Sequence, residues 1–216
     1  IPVQLLQLLE FWFRSGLTCV KWGDCFSAFY SQAHGIRQGG VLSPYLFALY
    51  IDSVIEKVRR SRVGCEIKLE SVGIMVYADD ILLVAPTVTA LQLLLKMCEN
   101  ELNWLAMSIN ASKSACLRIG KDYKTVPVCI RTIDGREIPW QDNVRYLGMH
   151  LVANNVFTCS FDNAKKSYYR AFNAIYSKIG GIASEEVILE MLKMKCLPVL
   201  LYGTDVCPVN KTVEVA

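Results

Sequence analysis

The chain has 216 residues, of which 53% are hydrophobic and 20% charged, with a formal net charge of +3. That apolar content supports one or two domains with a real core and excludes an intrinsically disordered chain. The weak positive charge excludes a protein that wraps nucleic acid by electrostatics alone.

Taken in chain order, Leu5, Leu6, Leu8, Leu9, Trp12 and Phe13 fall on one helical stripe, and Gly16 is a natural stop. Two β-like runs follow, 17–22 and 25–30, joined by the turn residues Gly23 and Asp24. After a glycine-rich loop, Ser43 and Pro44 signal a helix start, and the pattern continues through Ile51 and Val54 to about Arg60. The apolar stretch 72–84 is broken only by Ala78, Asp79 and Asp80, which predicts two buried strands around a tight turn. A second amphipathic helix is predicted over 89–106, with Leu91, Leu94, Leu95, Cys98, Leu102 and Leu105 inward. Strands are predicted at 115–119, around 127–131 and at 144–151, with a turn at Asp134 and Gly135. From about Ser160 the chain reads as helical to Ile179, then again from Ser184 until Pro198.

Nine cysteines are scattered without a Cys-x-x-Cys pair, and the two histidines, His34 and His150, stand far apart. The expectation is no zinc site and reduced core cysteines, as in an intracellular protein of the cytoplasm or nucleus. No apolar run reaches the length of a membrane span, and no signal-peptide pattern opens the chain. Beginning at Ile1 directly in an amphipathic helix, it reads as cut from something larger. Lys57, Arg59, Arg60, Arg62 and Lys68 form a local basic run that fits either a solvated helix end or a phosphate-tracking face.

Asp79 and Asp80 carry the most information. Two like charges a few ångströms apart in a partly desolvated turn repel by on the order of several kcal/mol unless a cation intervenes. Hard oxygen ligands suit Mg²⁺, although a solvated hairpin tip also accommodates such a pair. Upstream, the loop 35–44 supplies Gly35, Gly39 and Gly40 for close backbone approach to a ligand and leads into a helix N-terminus suited to phosphate.

Taken together, these residues resemble the reverse transcriptases of non-LTR (LINE-type) retrotransposons. The loop around Arg37, Gln38, Gly39 and Gly40 is similar to that family's motif B, and Tyr77-Ala78-Asp79-Asp80 to its catalytic motif C. Asn110-Ala111-Ser112-Lys113-Ser114 looks like motif D, Val144-Arg145-Tyr146-Leu147-Gly148 like the primer-grip motif E, and 196–203 like a thumb segment. Five motifs in order are far more specific than any one of them.

The resemblance implies an α+β fold: a polymerase-type palm, with an antiparallel sheet packed on helices, over 1–155, then a helical thumb over 156–216. It implies RNA-directed DNA polymerase activity, with an RNA template, a DNA primer and deoxynucleoside triphosphates as partners. Asp79 and Asp80 would hold Mg²⁺ and, with Lys113 near the triphosphate, form the catalytic set. Arg37, Gln38, Gly39, Gly40 and Tyr77 would contact nucleotide and template, and Tyr146, Leu147 and Gly148 would grip the primer. The fingers and the strand carrying the family's motif A aspartate have no counterpart here, so the chain is expected to be inactive by itself. The alternative is a non-catalytic nucleic-acid-binding remnant of a retroelement.

Overall fold

A computed structural model describes residues 2–31, 39–125 and 128–207. They form small antiparallel sheets and helices, an α+β arrangement as expected. The chain divides into two compact units, 1–52 and 53–216.

In the first unit, helix α1 (Val3–Ser15) forms where the apolar stripe predicted it, yet none of its residues is buried. The two β-like runs become four short strands: β1 (Leu17–Thr18), β2 (Lys21–Trp22), β3 (Cys25–Phe26) and β4 (Tyr30–Ser31). β2 and β3 close a hairpin on Gly23 and Asp24, and β1 pairs with β4 outside it. Helix α2 (Ser43–Ser61) starts at the Ser-Pro signal.

The second unit begins within α2, at Ser53, and continues with the hairpin β5 (Glu66–Ile67) and β6 (Glu70–Ser71), which the apolar pattern does not announce. β7 (Ile74–Tyr77) and β8 (Asp80–Leu83) then pair antiparallel through all four residues, Ile74 with Leu83 to Tyr77 with Asp80. Burial was expected along both strands, but only Ile74 is fully covered, and among the described residues these two strands pair only with each other.

Helix α3 (Val88–Trp104) is capped by Thr87, whose hydroxyl accepts the Ala90 N–H at 3.1 Å. Its buried face carries Leu94, Leu95, Cys98 and Leu102, as its period predicts, together with Glu99. The helix holds the next hairpin, β9 (Ile130–Arg131) and β10 (Glu137–Ile138), by polar clamps. Gln92 donates to the Arg131 carbonyl at 2.7 Å and accepts the Arg131 N–H at 2.9 Å, while Glu99 accepts the Ile133 N–H at 2.9 Å. Leu95, Ala111, Cys116, Ile130 and Ile138 form the core here, with Leu83, Val88, Leu91 and Trp140 packed against it. The strand expected at 115–119 reduces to one parallel bridge, Cys116 with Trp140, made by the Cys116 N–H to the Pro139 carbonyl and the Gln141 N–H to the Cys116 carbonyl. Of the stretch predicted as 127–131, Pro127 lies outside the described residues.

The single strand expected at 144–151 is instead a hairpin, β11 (Asn143–Tyr146) and β12 (Met149–Val152), extended by β13 (Thr158–Ser160). Gly148 is the reason: with φ of +83° it turns the chain where an extended strand would continue. Helices α4 (Asp162–Ile179), α5 (Glu185–Met191) and α6 (Leu197–Leu201) follow, with a π-helical stretch, Leu192–Cys196, ahead of α6. Pro198, which cannot donate to the ladder, sits at the first turn of α6. Against the expectation of reduced cysteines throughout, Cys159 and Cys207 are joined in a disulfide, packed with Phe161 against Met149 and Leu151. Sequence spacing could not find it, because only the return of the chain after α6 brings Cys207 to β13. Among the described residues, no helix is long and apolar enough to cross a membrane.

Candidate active site

The Asp79 and Asp80 carboxylates stand at the tip of the β7–β8 hairpin. Tyr77 and Asp80 form the last pair of the ladder, leaving Ala78 and Asp79 as a two-residue loop. Ala78 takes φ of +51°, a left-handed conformation that lets the chain reverse within two residues.

Tyr77, Asp79 and Asp80 are all exposed, and among the described residues no lysine or arginine forms an ion pair with either acid. No third His, Cys, Asp or Glu joins them into a metal-binding group among the described residues. Asp79 and Asp80 thus present exposed hard-oxygen donors at the hairpin tip.

Tyr146 lies within electrostatic reach of this tip. Burial, and then the Asp80 carboxylate, push its phenol above the ordinary value of 10.0. The charge of Asp80, in the Tyr-Ala-Asp-Asp segment, is thus felt at Tyr146 of the Tyr-Leu-Gly segment. Tyr146 ends β11 opposite Met149, and Leu147 and Gly148, at φ of +45° and +83°, make the intervening turn. Both positive values are the type I′ signature of a tight hairpin.

Lys113 is held by an Asn110 turn: its N–H reaches the Asn110 carbonyl at 3.1 Å, and Ser112 donates to the Asn110 side-chain oxygen at 2.7 Å. Ala111, buried in the core, anchors the turn, while Lys113 is exposed and forms no ion pair among the described residues. Gly39, at φ of +82°, and Gly40, whose carbonyl accepts the Ser43 N–H at 3.2 Å, belong to the first unit. Arg37 and Gln38 lie outside the described residues. Of the basic run, Lys57 pairs with Glu101 at 3.3 Å and Arg60 pairs with Glu56, so local glutamates absorb part of its charge.

One neighbour of the site carried no sequence signal for its contact. The Tyr202 hydroxyl, from the segment likened to a thumb motif, donates to the Leu147 carbonyl at 2.9 Å. Only the paths of α4 to α6 bring the two together.

Residues 3–151 match the family model described as reverse transcriptase (RNA-dependent DNA polymerase). The chain is 26% identical over 168 residues to the Retrovirus-related Pol polyprotein from type-2 retrotransposable element R2DM of Drosophila melanogaster, covering 74% of this chain and 16% of that protein. It is 27% identical over 179 residues to the Retrovirus-related Pol polyprotein from type-1 retrotransposable element R2 of Popillia japonica, covering 78% of this chain and 24% of that protein. It is also 28% identical over 153 residues to the Transposon TX1 uncharacterized 149 kDa protein of Xenopus laevis, covering 69% of this chain and 11% of that protein. The chain therefore spans less than a quarter of the length of these relatives. Enzymes of the matched family use divalent metal ions, in keeping with the acid pair at the hairpin tip. The likeness to non-LTR retrotransposon enzymes read from five motifs is borne out, and the chain belongs to the reverse transcriptase family.

Proposed function

We propose that this chain is the palm, over 1–155, and the first part of the thumb, over 156–216, of an RNA-directed DNA polymerase from a non-LTR retrotransposon. The observation that carries this reading is the match of residues 3–151 to the reverse transcriptase family, together with the exposed Asp79–Asp80 pair at the tip of the β7–β8 hairpin. The acid pair supplies metal-binding oxygens, and the Tyr146–Gly148 segment supplies a tight turn of the kind that can hold a primer end.

Asp79, with Asp80 beside it, holds Mg²⁺. When bound, the ion activates the primer 3′-hydroxyl and neutralises charge on the departing pyrophosphate. The turn of Tyr146, Leu147 and Gly148 positions the primer end against this site. By the family resemblance, Arg37, Gln38, Gly39, Gly40 and Tyr77 are assigned to contacts with the incoming deoxynucleoside triphosphate and the RNA template. Lys113, exposed and unpaired among the described residues, reaches the triphosphate and can donate a proton to the leaving group.

The test is extension of a DNA primer on an RNA template by the full polymerase carrying this chain. The proposal expects extension that requires Mg²⁺ and stops on chelation. Template binding with no extension under any divalent cation would favour a non-catalytic nucleic-acid-binding remnant instead.

A further inference from the structure

The Leu147–Gly148 turn is a demanding structure. Leu147 adopts φ of +45°, a region that bulky side chains rarely occupy, and such residues persist where their surroundings over-determine them. The surroundings come from one short segment. Tyr202 donates its hydroxyl proton to the Leu147 carbonyl at 2.9 Å, and its ring lies against Gly148, where a β-carbon would sit 3.0 Å from the Tyr202 Cε1. The next residue, Gly203, at φ of +79°, lies so close to Met149 that a β-carbon there would overlap the methionine sulfur. Cys207 then fastens the same segment to β13 through Cys159. Every residue from Leu147 to Met149 is therefore touched by Tyr202 or Gly203.

Fold stability is a weak explanation for the hydroxyl contact. Tyr202 is 57% exposed, so its hydroxyl could be satisfied by water, and exchanging that water for the Leu147 carbonyl gains little overall. What the contact does specifically is fix the direction of one carbonyl at an exposed turn, one residue from Tyr146.

We propose that Tyr202 is a positioning residue: it latches the Leu147–Gly148 turn so that the primer end meets the Asp79–Asp80 tip in one orientation. This rests on the polymerase reading above and adds to it a residue outside the motifs that touch the primer.

The test compares Tyr202→Phe with wild type in the full polymerase carrying this chain. Phe keeps the ring on Gly148 and removes only the hydrogen bond. Hydrogen exchange at the Gly148 and Met149 amides should accelerate about fivefold, the factor expected for losing one neutral hydrogen bond. Single-nucleotide extension at saturating nucleotide should slow about threefold to tenfold with the KM for nucleotide unchanged, since the primer end is displaced and not the triphosphate. The melting temperature should hold. Wild-type kcat and wild-type exchange in the variant would overturn the latch while leaving the polymerase reading intact. A drop in melting temperature that accounts for all the lost activity would make Tyr202 structural and equally overturn the positioning role. A wild-type protein that extends no primer would overturn the polymerase reading, and the latch's role in positioning with it.

Discussion

Asp80 and Tyr146, on two different hairpins, share one electrostatic environment: burial and then the Asp80 charge hold the Tyr146 hydroxyl protonated beyond its ordinary value of 10.0. Neutralising Asp80 should therefore bring the phenol back toward that value. With ring-labelled tyrosine, NMR titration of Asp80→Asn against wild type should show Tyr146 ionising at lower pH in the variant. Identical titration curves would mean that the Asp80 charge does not act on Tyr146.

Glu99 offers a second titration, this time in the core. Burial raises its carboxyl above the ordinary 4.5, against the opposing pull of the Ile133 N–H, with Asp134 raising it further and Arg136 lowering it. A folded-state value above the unfolded one means that its contribution to stability is full below pH 4.5 and is lost as pH rises through the raised value. Glu99→Gln keeps an oxygen for the Ile133 N–H and removes the charge. Urea unfolding should find the variant gaining on wild type as the pH rises above 4.5 and through the raised value. Parallel pH profiles would contradict that account.

Leu94 is completely buried on the inner face of α3. Leu94→Ala should lower stability by about 2–5 kcal/mol, the range for opening a cavity in a packed core. Denaturant unfolding measures this directly, and a loss below about 1 kcal/mol would mean that the face is not packed as described.

Local chemistry made part of this molecule legible from its residues. The period of 89–106 and the Ser43-Pro44 signal located helices, and the acids between apolar runs located the hairpin tip, because each depends on neighbours in sequence. What was not legible depends on the path of the chain. A run such as 144–151 alternates equally well as one strand or two, and the turn at Leu147 and Gly148 decides it. Glu99 in a core, the Cys159–Cys207 bond and the Tyr202 contact with Leu147 each join residues that only tertiary packing brings together. The expected burial of β7 and β8 overestimated what their apolar content implies, since an apolar strand is covered only where another element lies over it.

The most direct test of the central claim is Asp79→Ala in the full polymerase carrying this chain, assayed by Mg²⁺-dependent extension of a DNA primer on an RNA template. A carboxylate that grips the ion predicts a loss of more than about a hundredfold, with template binding retained. Extension by the variant at the wild-type rate would remove Asp79 from the metal site and contradict the account.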